Sequence, residues 1–556
     1  MPALYHSGFM PLVCGLLATQ AAAQDRWCGK VYTAGSPEVI PGGDLQPPEV
    51  SSTPLLDLRI SPRYSIYVGS EEAAEFIVDA GISYIHGTPY ASGVSDGDAS
   101  DTVGFSIETE GIILTSGSVA INTTDSLIQF DLAQLTPRST AYQVNLSATA
   151  SNNNSYSAST ELFYLPEKTT GSVVKVDNLY GSLLYRNEFT DGLFRPVLPY
   201  GFYADYSGYL NVSDANVEAY ANKGFTAINP VAAFTDGDLT PTLDKMDELN
   251  LLFQYDMRGS FMNLSSVAEQ VPLVKDHPSL LTWYTADEPD GWVYALNSTT
   301  QAYDLLASLD KYHPVALVLN CQNYFFGEYS AGADIVMEDA YPVGINATYS
   351  RRWDTPCNAT YGDCGCDNCA GSLLDVPDRV DDFHDYQEWI GGPASRKPVW
   401  AVPQSFSGEE YWARDPTPDE VWVMDVLAFN HGAKGRLAWL YPPSDLLAAA
   451  ASQLARVVTV SPVLEFLTGA NPVLLQDGKS GGLDVAYWSL GEEVLVGVAN
   501  PRNESTSSKE ITLPPSIHTS QIVSTPWGNI TWTLSGSTML AGDDIAGLST
   551  SFVVFK

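Results

Sequence analysis

The chain has 556 residues, with 27 Lys and Arg against 66 Asp and Glu, a formal net charge of −39 and a pI near 4.2. A field of that sign repels nucleic acid and anionic membrane surfaces, so neither is expected as a partner. With 45% hydrophobic and 11% aromatic residues the composition excludes disorder, and the length asks for more than one core.

The first 24 residues read as a secretory signal: Phe9 to Ala18 is a short apolar run, and Ala21-Ala22-Ala23 stands before Gln24. No other run approaches the roughly 18 apolar residues of a membrane span. Asn-x-Ser/Thr sequons at Asn122, Asn145, Asn153, Asn211, Asn263, Asn297, Asn346, Asn358, Asn503 and Asn529 fit a glycosylated, extracellular protein. Cys14 falls in the signal, leaving Cys28, Cys321, Cys357, Cys364, Cys366 and Cys369. An even number in an oxidising compartment reads as disulfides, with the pairing open. The four clustered thiols would also suit a structural zinc knot. Export favours disulfides, and no catalytic metal or organic cofactor is expected.

Residues 25–186 alternate in short runs separated by Gly, Ser, Asn and Pro, as in Ser126–Leu132 and Ala141–Leu146. That pattern predicts one or two β-sandwiches. Over 187–460 the rhythm becomes strand, helix, strand. Eight strands are expected at Arg195–Tyr203, Phe225–Pro230, Leu251–Asp256, Leu280–Asp287, Val315–Asn320, Ile335–Pro342, Pro398–Gln404 and Arg436–Tyr441. Eight such units, with no glycine-rich dinucleotide fingerprint after the first, point to a (β/α)₈ barrel rather than an open sheet. Thr417 and Glu420 form a capping box ahead of the last barrel strand, and Gly432 suits that helix's exit. Alternation returns over 461–556, predicting a closing β-sandwich.

Barrel enzymes gather their chemistry at the C-terminal ends of the strands. Here those ends carry Tyr203, Asn229, Asp256, Asp287, Glu288, Asn320, Glu338, Asp339, Tyr341, Gln404, Trp439 and Tyr441, with Trp292 close behind Glu288. Carboxylates and amides pair with sugar hydroxyls, and aromatic rings take the apolar faces of pyranose rings. Trp283, Trp292 and Trp439 are candidate platforms; each ring would be equally at home in a core. Cleaving a glycosidic bond needs one protonated and one ionised carboxyl group. The run Trp283-Tyr-Thr-Ala-Asp-Glu-Pro289 offers Glu288 as the acid, its pKa raised by aromatic walls. A helix N-terminus would also accommodate Asp287 and Glu288. His277, His313, His384 and His431 lie beside strand starts or in helices, and no Gly-x-Ser-x-Gly elbow occurs. Metal and serine hydrolysis are therefore disfavoured.

Residues 187–442 resemble the barrel of clan A glycoside hydrolases, through Pro199-Tyr-Gly-Phe-Tyr203, Asp287-Glu-Pro289, Asp339-Ala-Tyr-Pro342 and Gly432-Ala-Lys-Gly435. The resemblance implies that Glu288, ending strand four, is the acid/base. It also implies a nucleophilic Glu at the end of strand seven, where this chain has Gln404. A neutral amide cannot serve, so Asp339 or Glu338 on strand six is the candidate second carboxylate. Strand alternation allows one of those two to face the mouth. The expectation is a glycosidase acting on an oligo- or polysaccharide. The alternative is an inactive carbohydrate-binding or cell-wall protein, its mouth in the latter case covered by the cysteine-rich loop.

Overall fold

The computed structural model describes residues 25–90, 101–151, 153–232, 238–392, 396–406, 408–517 and 519–556. The expected signal segment and Cys14 lie outside them.

Two four-stranded antiparallel sheets come first. One is ordered Thr88–Pro89, Leu55–Pro62, Ala73–Ser83, Thr123–Asp131; the other Ser155–Leu162, Tyr142–Ala150, Thr102–Thr109, Ile112–Ala120. Every second residue of Tyr142–Ala150 is buried, so one face meets the other sheet and one meets water. Phe76, Phe105, Phe130, Val144 and Leu146 share the core between them, which makes the pair a β-sandwich.

Eight parallel strands then close a barrel: β1 Tyr200–Asp205, β2 Ala227–Val231, β3 Leu252–Asp256, β4 Leu280–Asp287, β5 Val315–Leu319, β6 Ile335–Glu338, β7 Val399–Ala401 and β8 Arg436–Tyr441. Each is followed by a helix: α1 Asp214–Ala221, α2 Thr240–Leu249, α3 Leu264–Val274, α4 Ser298–Leu309, α5 Phe326–Ser330, α6 Asp375–Ile390, α7 Pro418–Asn430 and α8 Asp445–Val458. The capping box forms at α7, where Thr417 accepts from the Glu420 amide and Glu420 accepts from that of Thr417.

Arg195–Val197, expected at the start of the first barrel strand, belongs elsewhere. It pairs with Leu183–Arg186, which pairs with Val173–Val176. Pro199 breaks the chain before β1, since proline cannot donate to a ladder. Val174, Val176, Leu183 and Val197 of this small sheet pack with the barrel interior residues Leu252, Leu281, Ile335 and Leu437. Ser172 Oγ donates to the carbonyl of Leu280 at the start of β4 (2.7 Å). The barrel floor is thus sealed, and its mouth is left for chemistry.

A five-stranded and a three-stranded sheet end the chain, with Val485, Val496, Met539 and Val553 between them. The outer face of the larger sheet, through Ala486, Trp488, Leu495 and Phe552, joins the core of the barrel helices. The fold is a (β/α)₈ barrel flanked by N- and C-terminal β-sandwiches.

Residues 26–45 depart from the expected β-sandwich and cross the mouth-side loops instead. Cys28 is bonded to Cys321. The Leu45 amide donates to Asn323 (2.6 Å), and the Asn323 side chain donates back to the Leu45 carbonyl (2.9 Å). Lys30 pairs with Asp367 (2.6 Å). The cysteine-rich loop is stapled by Cys357–Cys364 and Cys366–Cys369, so the cysteines form disulfides rather than a zinc knot.

Candidate active site

Strand β4 delivers Glu288 one residue past its end. Glu288 takes a left-handed backbone (φ 49°), a conformation that costs a non-glycine residue about 1 kcal/mol and persists only where its surroundings hold it. Its amide donates to the Val318 carbonyl (3.2 Å), and the bend turns the carboxyl toward Asp339 beyond β6. The two carboxyl groups hydrogen-bond to each other. Burial lifts both well above the usual carboxylate range, and for Glu288 the neighbouring Asp339 charge adds to it. Two like charges in contact cannot both ionise, so the pair retains at least one proton. Asp339 also accepts from the Asn320 side chain (3.1 Å). That favours charge on Asp339 and leaves the proton on Glu288.

The pair opens on a cleft of about 440 Å³, lined by Tyr341, Phe406, Tyr411, Trp412, Trp439 and the carboxylates Glu409 and Glu410 among others. The cysteine-rich loop does not cover it; that loop borders it, with the Tyr341 amide resting on Cys366 Sγ (3.2 Å). Tyr341 packs edge-on against Phe406 and Trp412 (centroids 5.3 and 5.9 Å). Trp412 in turn donates its indole N–H to the Tyr341 carbonyl (2.8 Å).

A second acidic layer lies beside the pair. Asp287 accepts from Tyr284 (2.6 Å) and from Arg258 (2.7 Å). Asp256 accepts from Arg258 Nε (2.8 Å) and Asn229 (2.9 Å). The Arg258 guanidinium lies over the Tyr203, Tyr284 and Trp439 rings at 5.2–5.4 Å. Asp256, Asp287, Asn229 and Tyr203 are therefore joined in one polar layer around a fixed cation beside the pair.

Several sequence expectations are corrected. Glu338 is fully buried and points away from the mouth: Val336, two residues back, packs among the helices, while Ile335 and Met337 face the barrel interior. Burial raises its carboxyl to about 8. Gln404 is buried with both ends of its amide occupied by one backbone residue. It accepts from the Val343 amide (2.8 Å) and donates to the Val343 carbonyl (3.0 Å). Tyr441 lies between barrel and helices against Phe202, Tyr209 and Tyr220. Trp283 is a core ring whose N–H is bound by Asp310 (3.0 Å). Trp292 is 54% exposed and sits outside the cleft lining, edge-on to Trp27 (5.2 Å).

Two residues the sequence reading passed over support the site. Asp290 accepts from the amides of Gly291, Asn320 and Cys321 (2.9, 3.3 and 2.8 Å) and is raised to about 6 by burial. Trp27 donates to Asn320 (3.1 Å). Cys28, next to Trp27, and Cys321, whose amide donates to Asp290, are the available signal.

No protein-family model matches the chain, and no curated protein does. Among solved structures it is similar to an FMN-binding β-glucuronidase from Facaelibacterium prausnitzii L2-6, at 11% identity over 90% of this chain and 74% of that one, TM-score 0.34. It is also similar to a GH2 β-galacturonidase from Eisenbergiella tayi, at 13% identity over 73% of each chain, TM-score 0.35. A Bacteroides uniformis β-glucuronidase matches at 13% identity over 82% of this chain and 55% of that one, TM-score 0.35. Superpositions this loose carry no weight beside the geometry of the site itself.

Proposed function

We propose that this protein is a secreted glycoside hydrolase cleaving O-glycosidic bonds in a neutral or weakly charged glycan. The observation that carries the reading is a buried, hydrogen-bonded pair of carboxyl groups opening on an aromatic-lined cleft of about 440 Å³. Glu288 protonates the leaving oxygen. Asp339 is the ionised partner, acting on water or on the anomeric carbon. Tyr341, Trp412 and Trp439 offer ring faces to the sugar. Of the charged lining, Arg352 pairs with Glu410, and the acids Asp287, Glu288, Asp339 and Glu409 still outnumber it, which disfavours polyanionic substrates. Export is supported by the three disulfides and by exposure of all the sequon asparagines. We take 25–186, 187–460 and 461–556 as the three structural units.

Direct contact between Glu288 and Asp339 is closer than the roughly 5–5.5 Å of retaining pairs or 6.5–9.5 Å of inverting ones. Binding a sugar must part them. That same contact, together with the blocked amide at Gln404, favours a second reading: a carbohydrate-binding protein without turnover. A panel of aryl glycosides and of plant and fungal polysaccharides separates the two. Release of reducing sugar that disappears in Glu288→Gln supports the hydrolase, while saturable binding with no release from the parent overturns it.

A further inference from the structure

We infer that Trp27, on the N-terminal arm, is a positioning residue that assigns the shared proton within the Glu288–Asp339 pair. The inference rests on the reading of that pair as the reacting groups. An indole N–H can only donate, so Asn320 must present its amide oxygen to Trp27 Nε1 (3.1 Å). The amide's other end is then its NH₂, which donates to Asp339 Oδ1 (3.1 Å). Without the indole donor the Asn320 amide is free to turn its oxygen toward Asp339, which would oppose ionisation there.

The Asn320 backbone is held independently. Its amide donates to Asp290 (3.3 Å), and its carbonyl accepts from Arg379 (2.6 Å). Amide orientation is thus the freedom left to Trp27 to settle. The arm itself is fastened on both sides of the indole's target. Cys28 is bonded to Cys321, and the Cys28 amide donates to the Gly291 carbonyl (3.2 Å) in the turn that carries Glu288. Gly291 has to be glycine, since a β-carbon there would fall 2.5 Å from the Trp27 ring.

The test uses the full disulfide-bonded chain carrying Trp27→Phe, Asn320→Ala, or both. Asp and Glu side-chain carboxyls are ¹³C-labelled, and the pair's resonances are identified by their loss in Glu288→Gln and Asp339→Asn. In Trp27→Phe the lower of the pair's two ionisations should rise by about one pH unit. The acid limb of kcat/KM on whichever aryl glycoside the parent cleaves should move with it, with KM unchanged. The double variant should titrate like Asn320→Ala alone, because Trp27 acts through Asn320. Cys28→Ser with Cys321→Ser keeps the indole but releases the arm, and should shift the same ionisation in the same direction by less; this variant decides the matter if Trp27→Phe does not fold. An unmoved titration, or shifts that add in the double variant, would overturn the inference. A parent that cleaves no glycoside counts against the hydrolase alone, since the carboxyl titration does not depend on turnover.

Discussion

Two buried ionisable clusters in this molecule are built on opposite plans. At the C-terminal ends of β4 and β6, Glu288 and Asp339 toward the mouth and Glu338 toward the helices are withdrawn from water with no cation bonded to any of them among the described residues, and burial raises all three. On the flank of the barrel, around α7, the buried charges of His431 and Arg436 each have counter-charges. His431 lies between Asp381 and Asp484, 2.8 Å from each. Arg436, fully buried, pairs with Asp425 (3.1 Å), which also accepts from Tyr200 (2.5 Å). The paired cluster holds layers together. The unpaired cluster holds its protons above the ordinary carboxylate range at a cost in stability, which is what the proposed proton-transfer role requires.

The strongest way to break that contrast is to neutralise the mouth. Glu288→Gln should lower kcat/KM on aryl glycosides by about 10²–10⁴-fold, the range for a lost general acid, with thermal stability unchanged or raised. Asp339→Asn should lose at least as much. A good leaving group needs no protonation, so dinitrophenyl glycosides should restore Glu288→Gln but not Asp339→Asn. Equal restoration of both variants would mean that the roles are assigned wrongly.

The flank should respond in stability instead. Arg436→Met strands the Asp425 carboxylate in the core, and denaturant unfolding should show a loss of about 3–5 kcal/mol. Activity per folded molecule should stay within twofold. A larger fall would tie the flank to the chemistry and erase the distinction.

Part of this was legible in the chain. Strand β8 was placed from end to end, and the Asp-Glu-Pro run located Glu288, because a strand that stops in acids before a proline has few places to sit. Tyr441 was misplaced for a physical reason. The β1–β8 register slips between Phe202/Ala438 and Ala204/Tyr441, so strict alternation no longer holds and the ring turns to the helix layer. The clamp of Gln404 on Val343 joins residues 61 apart. Trp27 and Asn320 are 293 apart, and local periodicity says nothing about contacts at such separations.

His431 offers a finer test. Its two carboxylates raise it to about 9, outweighing burial. A raised histidine contributes stability that is complete below its ordinary pKa of about 6.5 and lost as pH climbs through the folded value. Melting temperature should therefore fall between about pH 6.5 and 9 in the parent, and this part of the fall should vanish in His431→Asn. A variant that keeps the parent's slope would show that His431 is not charged in the folded protein.

Glu338 should give the smallest effect and the sharpest sign. Its carboxyl is raised to about 8 by burial; the Ala340 amide donates to one oxygen (3.0 Å), and the other is without a partner. The folded protein thus holds a proton that the unfolded chain releases near the ordinary glutamate value, about 4.3. Folding stability then declines as pH rises from there toward 8, the opposite of a salt-bridged carboxylate. Glu338→Gln removes that decline, so the variant should match the parent near pH 4.5 and exceed it at pH 7 by about 1–3 kcal/mol. Catalysis should be preserved at both, because this carboxyl faces the helices rather than the cleft. If instead stability drops at pH 7, Glu338 is ionised and held by a partner, and the end of β6 would contain a paired charge like those on the flank.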